Sequence, residues 1–208
     1  MKPKIKVCGM KYTSNIQELV ALSPDYMGFI FYPKSPRYIG DELTPEWMDK
    51  LPDHIKKVGV FVNSTMTDLE KNAKAYHLDY IQLHGTESPE ECKILKEKGY
   101  KIIKAFGVDE SFDFISCRSY KPFVEYFLFD TKTTAYGGSG KVFNWKLLEN
   151  YPYKIPFFLS GGISGENMNE LNKIDHPYLH AIDLNSKFEK KPGLKDIHQL
   201  KSQIFDQY

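Results

Sequence analysis

Short apolar runs alternate with amphipathic stretches along the whole chain. Runs rich in β-branched and aromatic residues fall at 4–8 (KIKVC), 26–31 (YMGFIF), 57–62 (KVGVFV), 79–83 (DYIQL), 101–106 (KIIKAF), 126–130 (YFLFD), 156–160 (PFFLS) and 180–184 (HAIDL). Each reads as a strand. Between and after them, the spacing of apolar positions predicts helices over 14–22, 44–50, 66–76, 88–98, 110–119, 144–149, 164–174 and 194–206. Several open on a capping residue. In Ser88-Pro89-Glu90-Glu91 the serine is placed to cap, the proline to occupy the first helical position, and the two acids to sit against the positive end of the helix.

Strict strand–helix alternation implies parallel strands joined by right-handed crossovers, because a hairpin cannot reach a parallel neighbour. Eight such units, with strand starts roughly every 25 residues, fit a closed (β/α)8 TIM barrel, whose lower size limit is about 200 residues. The 208 residues are used up by these units, so residues 1–208 are expected to form a single domain. The other α/β arrangement, an open doubly wound sheet, calls for a G-x-G-x-x-G turn after the first strand, and Cys8-Gly9-Met10-Lys11 does not supply one.

Composition narrows the class of partner. The chain is 41% hydrophobic and 26% charged, with a net charge of +1, so it has no electrostatic footprint for nucleic acid. It contains no apolar run of about 18 residues, which excludes a membrane helix. Lys2-Pro3-Lys4 leads into a strand without an apolar leader, so a cytoplasmic location is expected. Cys8, Cys92 and Cys117 form no C-x-x-C pair, which argues against a metal site and for a reducing compartment. The expected partner is a small molecule, and the chain is expected to be a monomer or homodimer.

In a barrel of this type, chemistry collects at the C-terminal ends of the strands and the loops after them. Those positions hold Cys8, the Pro33–Arg37 segment, Asn63, Gln82, His84, Asp130, Ser160-Gly161-Gly162, Asp183 and Asn185-Ser186. Gly161-Gly162 after strand seven and Asn185-Ser186 after strand eight stand where many barrels bind phosphate through backbone N–H groups. A phosphorylated metabolite is therefore expected. Cys8 and Asp130, on strands one and six, are placed to act as two proton-transfer groups across the mouth, as an isomerisation requires. Arg37, between Pro33 and Pro36 on one side and Tyr38 on the other, offers a planar fork for an anion. His84 is either a base or a hydrogen-bond donor. The glycine-rich stretch 131–141 contains Gly140-Lys141 but lacks the leading glycine and trailing hydroxyl of a nucleotide loop, and a lid is expected there instead.

Taken together, KVCGM at 6–10, GFIFYPKSPRYI at 28–39, VGVFVN at 58–63, QLHG at 82–85, DTKTTAYGGSGKVFNW at 130–145, LSGGI at 159–163 and ID at 182–183 resemble the phosphoribosylanthranilate isomerase family of tryptophan biosynthesis. The resemblance implies a cofactor-free Amadori rearrangement in which Asp130 protonates the furanose oxygen and Cys8 removes the proton from ribose C2. It also implies that Arg37 holds the anthranilate carboxylate, with Gly161, Gly162, Asn185 and Ser186 around the phosphate and His84 and Asp183 in the binding set. One departure stands out. The family usually shows two small residues and a glycine after strand eight, whereas this chain has Asn185-Ser186-Lys187. Lys187 then either supplies a compensating charge or turns to solvent.

Other phosphosugar barrels fit less well. The sugar isomerase of histidine synthesis relies on paired aspartates at the ends of strands one and five, which here carry Cys8 and Phe106-Gly107. Indole-glycerol-phosphate synthase calls for a catalytic lysine and glutamates, and the end of strand one offers neither. A silent barrel that only binds a phosphorylated metabolite would have no need of Cys8 and Asp130.

Overall fold

A computed structural model describes residues 2–132 and 143–207. Eight parallel strands close on themselves in chain order: β1 (Lys4–Cys8), β2 (Tyr26–Ile30), β3 (Lys56–Phe61), β4 (Tyr80–Leu83), β5 (Ile102–Val108), β6 (Tyr126–Thr131), β7 (Phe157–Leu159) and β8 (Leu179–Leu184). Closure is made by β1 against β8, with Lys6 in register with Asp183. The TIM barrel read from the alternation is therefore present, and strand ends match to within one or two residues. β5 runs two residues past the expected stop, so Phe106-Gly107 lie inside it and are not its terminus.

Helices α1 (Thr13–Val20), α2 (Pro45–Met48), α3 (Met66–Ala75) and α4 (Pro89–Glu97) follow the first four strands. At α4 the expected cap is complete: Glu91 N–H donates to Ser88 Oγ (3.2 Å) while Ser88 N–H donates to the Glu91 carboxylate (2.7 Å). The second half of the barrel departs from the helical expectation. Phe114–Phe123 and Trp145–Asn150 are 3₁₀ turns, and α5 (Met168–Leu171) is a single turn after a 3₁₀ start. Pro122 inside the first of these explains part of the difference, since it has no N–H to give an α-helix.

The helix expected over 194–206 is also shorter. Leu194–Lys195 (β10) pairs antiparallel with Glu189–Lys191 (β9), and only then does α6 (Ile197–Leu200) begin, running on into a π-helical turn over Lys201–Phe205. Gly193 makes the hairpin possible by taking a φ of +85°.

Two apolar clusters divide the protein. The larger lies between the barrel wall and the surrounding helices, while a smaller one, including Val58, Ile103, Leu128, Phe158 and Ala181, fills the barrel interior. The proposed lid falls largely on residues 133–142, which lie outside the described residues.

Candidate functional site

A cleft opens at the C-terminal mouth of the barrel. Its wall includes Cys8, Gln82, His84, Asp130, Ser160, Gly161, Gly162, Asp183, Asn185, Ser186 and Lys187. Side chains alternate along a strand, so Lys6 and Cys8 both project from β1 into the interior. Gly9, at φ +76°, then turns the chain away, and its N–H donates to Gly28 O at 2.9 Å. Opposite Cys8, Gly28 leaves the space its sulfur occupies: a Cβ there would lie 2.6 Å from Sγ.

Burial pushes the Cys8 thiol up, Lys6 pulls it down, Asp183 adds to the rise and Lys195 opposes it; the rise prevails. Lys6 is itself fully buried. Burial opposes its charge, yet Asp183 and Cys8 hold the ammonium above the ordinary lysine value. Its salt bridge to Asp183 Oδ2 measures 2.9 Å. Asp183 has its carboxyl raised by burial and lowered by Lys6, with a net rise. The second oxygen, Oδ1, is buried with no hydrogen-bond partner among the described residues.

Asp130 stands at the far side of the mouth on β6, where Oδ1 accepts from Thr131 N–H (2.8 Å) and Oδ2 lies 3.4 Å from His84 Nε2. His84 sits on a loop that is stapled from below. The buried ammonium of Lys104 donates to Glu87 Oε2 (2.9 Å) and Gly85 O (2.8 Å), while Asn63 and Gly85 N–H groups donate to the same glutamate. Gly161 and Gly162 have φ of +92° and +66°. A Cβ on Gly161 would come within 2.3 Å of Thr131 Oγ1, so only glycine fits between the loops.

A family model described as N-(5′-phosphoribosyl)anthranilate (PRA) isomerase matches residues 5–206. The chain belongs to this family. It is 49% identical to the N-(5′-phosphoribosyl)anthranilate isomerase of Parabacteroides distasonis over 201 residues, covering 96% of this chain and 91% of the relative. Among solved structures it resembles the phosphoribosyl anthranilate isomerase of Thermotoga maritima, with 36% identity, a TM-score of 0.83 and 96% of each chain covered. A phosphoribosyl anthranilate isomerase crystallised with reduced 1-(o-carboxyphenylamino)-1-deoxyribulose 5-phosphate is 32% identical, with a TM-score of 0.78 and coverage of 96% of this chain and 95% of that one.

Of the residues expected to form the isomerase site, Cys8, His84, Asp130, Gly161, Gly162, Asp183, Asn185 and Ser186 meet in one cleft. Arg37 does not stand there as an open clamp. It is buried, and its Nε and Nη2 grip the Glu189 carboxylate at 2.7–3.0 Å. Glu189 also accepts from Lys195 (2.7 Å), whose ammonium donates in turn to Asn185 Oδ1 (2.7 Å). Burial works against the Glu189 charge, but Arg37 and Lys195 hold its carboxyl below the usual range; burial draws Lys195 down to about 8 in spite of Glu189. Glu189, Lys195 and Lys6 escaped sequence reasoning. For Lys6 a signal was present: it stands two positions before Cys8 and so shares its face. Glu189 and Lys195 meet through a hairpin that helical periodicity concealed.

Proposed function

We infer that the chain isomerises N-(5-phosphoribosyl)anthranilate to 1-(2-carboxyphenylamino)-1-deoxyribulose 5-phosphate in tryptophan biosynthesis. The observation that carries this is the presence of Cys8 and Asp130, from β1 and β6, in the wall of the same cleft as the glycine pair after β7. Asp130 gives a proton to the furanose oxygen. The C1–O bond breaks, and the anilino nitrogen's lone pair forms a C1=N Schiff base. Cys8 then takes the C2 proton, and the C–H electrons become the C1=C2 bond of an enolamine. Transfer of the C2 hydroxyl proton and protonation at C1 give the ketone, so the sum is an isomerisation with no net change in atoms.

The resting thiol is held protonated by burial, so thiolate formation depends on positive charge nearby. Lys6 and Lys195 supply it, and the cationic Schiff base adds to it once the ring has opened. Asp183 Oδ1, without a donor among the described residues, accepts from a ribose hydroxyl. Gly161 and Gly162 hold the phosphate through backbone N–H groups, with Asn185 and Ser186 on its other side and exposed Lys187, which lines the cleft, adding charge. Glu189 engages only the Nε and Nη2 side of Arg37, which leaves Nη1 to meet the anthranilate carboxylate from behind the rim.

Loss of anthranilate-type fluorescence on adding the protein to phosphoribosylanthranilate tests the assignment. Wild type is expected to turn over, and Cys8→Ala and Asp130→Ala each to lose at least about 10²–10⁴ in kcat with the fold intact. Near-normal turnover in either variant removes that residue's role, and an inactive wild type removes the substrate.

A further inference from the structure

Hydrogen-bond polarity can be followed from one side of the cleft floor to the other. The Lys6 ammonium, besides its salt bridge, is 2.9 Å from the Gln82 oxygen Oε1. An ammonium carries donors only, so the amide atom facing it must be the acceptor. The amide nitrogen is thereby turned away, and it lies 2.8 Å from His84 Nδ1. That nitrogen too can only donate, so Nδ1 must present its lone pair. The ring proton is then on Nε2, the atom facing Asp130 Oδ2. Lys6 on β1 with Gln82 and His84 on and after β4 form one directed chain, each link fixing the next, and its last ring atom stands 3.4 Å from Asp130 Oδ2 on β6.

We propose that Lys6 and Gln82 are positioning residues that lock His84 as its Nε2–H tautomer, so that His84 acts as a hydrogen-bond donor to Asp130 and never as the base. The catalytic part rests on the acid role given to Asp130 above; the tautomer does not. An Nδ1–H ring would aim the Nε2 lone pair at Asp130, where it would repel the ionised carboxylate and, in the acid form, draw the carboxyl proton to itself and away from the furanose oxygen. The staple of Lys104, Glu87 and Gly85 holds the backbone of the His84 loop but leaves the ring free to choose its tautomer. The choice therefore falls to Gln82. Among the described residues, the charged groups facing the ring include Asp130 from β6, Asp183 from β8 and Lys6 from β1, with the Cys8 thiol beside Lys6.

Nitrogen-15 correlation spectra of histidine-labelled protein test this without substrate, with His84→Asn identifying the ring's signals. Wild type is expected to show Nε2 protonated and Nδ1 bare near neutral pH. Gln82→Glu keeps the shape but swaps the donor for an acceptor, and is expected to move the proton to Nδ1 or charge the ring. Its kcat should fall up to about 100-fold, as misplacement of a reacting group does, with KM little changed and the kcat–pH profile displaced. Gln82→Met, which offers no donor and only a weak acceptor, should leave a mixture of tautomers and an intermediate kcat. An Nδ1–H ring in wild type overturns the proposal even if no variant folds. An unchanged tautomer in Gln82→Glu overturns the locking, and a changed tautomer with unchanged kcat overturns its catalytic meaning. A locked tautomer in a wild type that does not isomerise phosphoribosylanthranilate would instead refute the functional assignment alone.

Discussion

At the N-terminal end of the barrel interior, Tyr26, Tyr80, Tyr126 and His180 come from β2, β4, β6 and β8 and touch in a closed circuit, with ring centroids 4.4–5.9 Å apart around it. Phe158 packs on that circuit at 5.1–5.4 Å from three of its members. Two residues further along the same strands the composition changes: Tyr80 gives way to Gln82 and then His84, and Tyr126 to Leu128 and then Asp130. One end is a layer of alternate-strand side chains of the kind that fills such barrels. The other is a set of paired charges that could not stay buried alone. The contrast teaches that one repeating backbone separates the work of staying folded from the work of catalysis by position along each strand.

The largest test of that separation is Lys6→Met. It leaves Asp183 buried without its cation and should cost about 3–5 kcal/mol of stability, read from denaturant unfolding. Adding Asp183→Leu should recover most of that loss while leaving the enzyme inactive. If the double variant regained activity, the charges would be structural only.

Phe158→Ala is the converse. Removing a fully buried aromatic side chain should cost about 3–5 kcal/mol, with kcat per folded molecule unchanged, as measured below the unfolding transition. A drop in kcat would show that the floor also shapes the cleft.

A smaller effect is expected from pH. Burial, helped by Lys4 and opposed by Asp25, lowers His180 to about 4 in the folded protein from an ordinary 6.5, and its Nε2 lies 2.7 Å from the Tyr26 hydroxyl. Between those values the unfolded chain binds more protons. The stability contribution is therefore complete above pH 6.5 and is lost as the pH falls towards 4. Since the ring is partly exposed, about 1–3 kcal/mol is at stake, and His180→Phe should flatten that part of the stability–pH curve.

The smallest effect is on labelling. Alkylation of Cys8 in the resting enzyme should rise with pH and reach its midpoint above the ordinary thiol value of 9.0. A midpoint at or below 9.0 would mean that Lys6 and Lys195 outweigh burial.

Period-two alternation and strand spacing were enough to reveal the barrel, and its known polarity of function placed Cys8, His84, Asp130 and Asp183 at one mouth. Helices in the second half were less legible because a crossover needs only chain length and a few apolar anchors, which 3₁₀ turns such as Trp145–Asn150 also provide. The buried ions were hidden for a different reason. A lysine between Ile5 and Val7 reads as a solvent-facing position, and only closure of β1 on β8 brings Asp183 beside it. Arg37 likewise looked free until the hairpin carried Glu189 to it.

Gly28 carries a consequence beyond steric fit. It is the register partner of Cys8 across β1 and β2, and any side chain there would occupy the place of the sulfur. The two positions are thus one heritable unit. A lineage that filled position 28 would have to surrender the cysteine at position 8, and one that enlarged the residue at position 8 would find its neighbour with nothing left to trim.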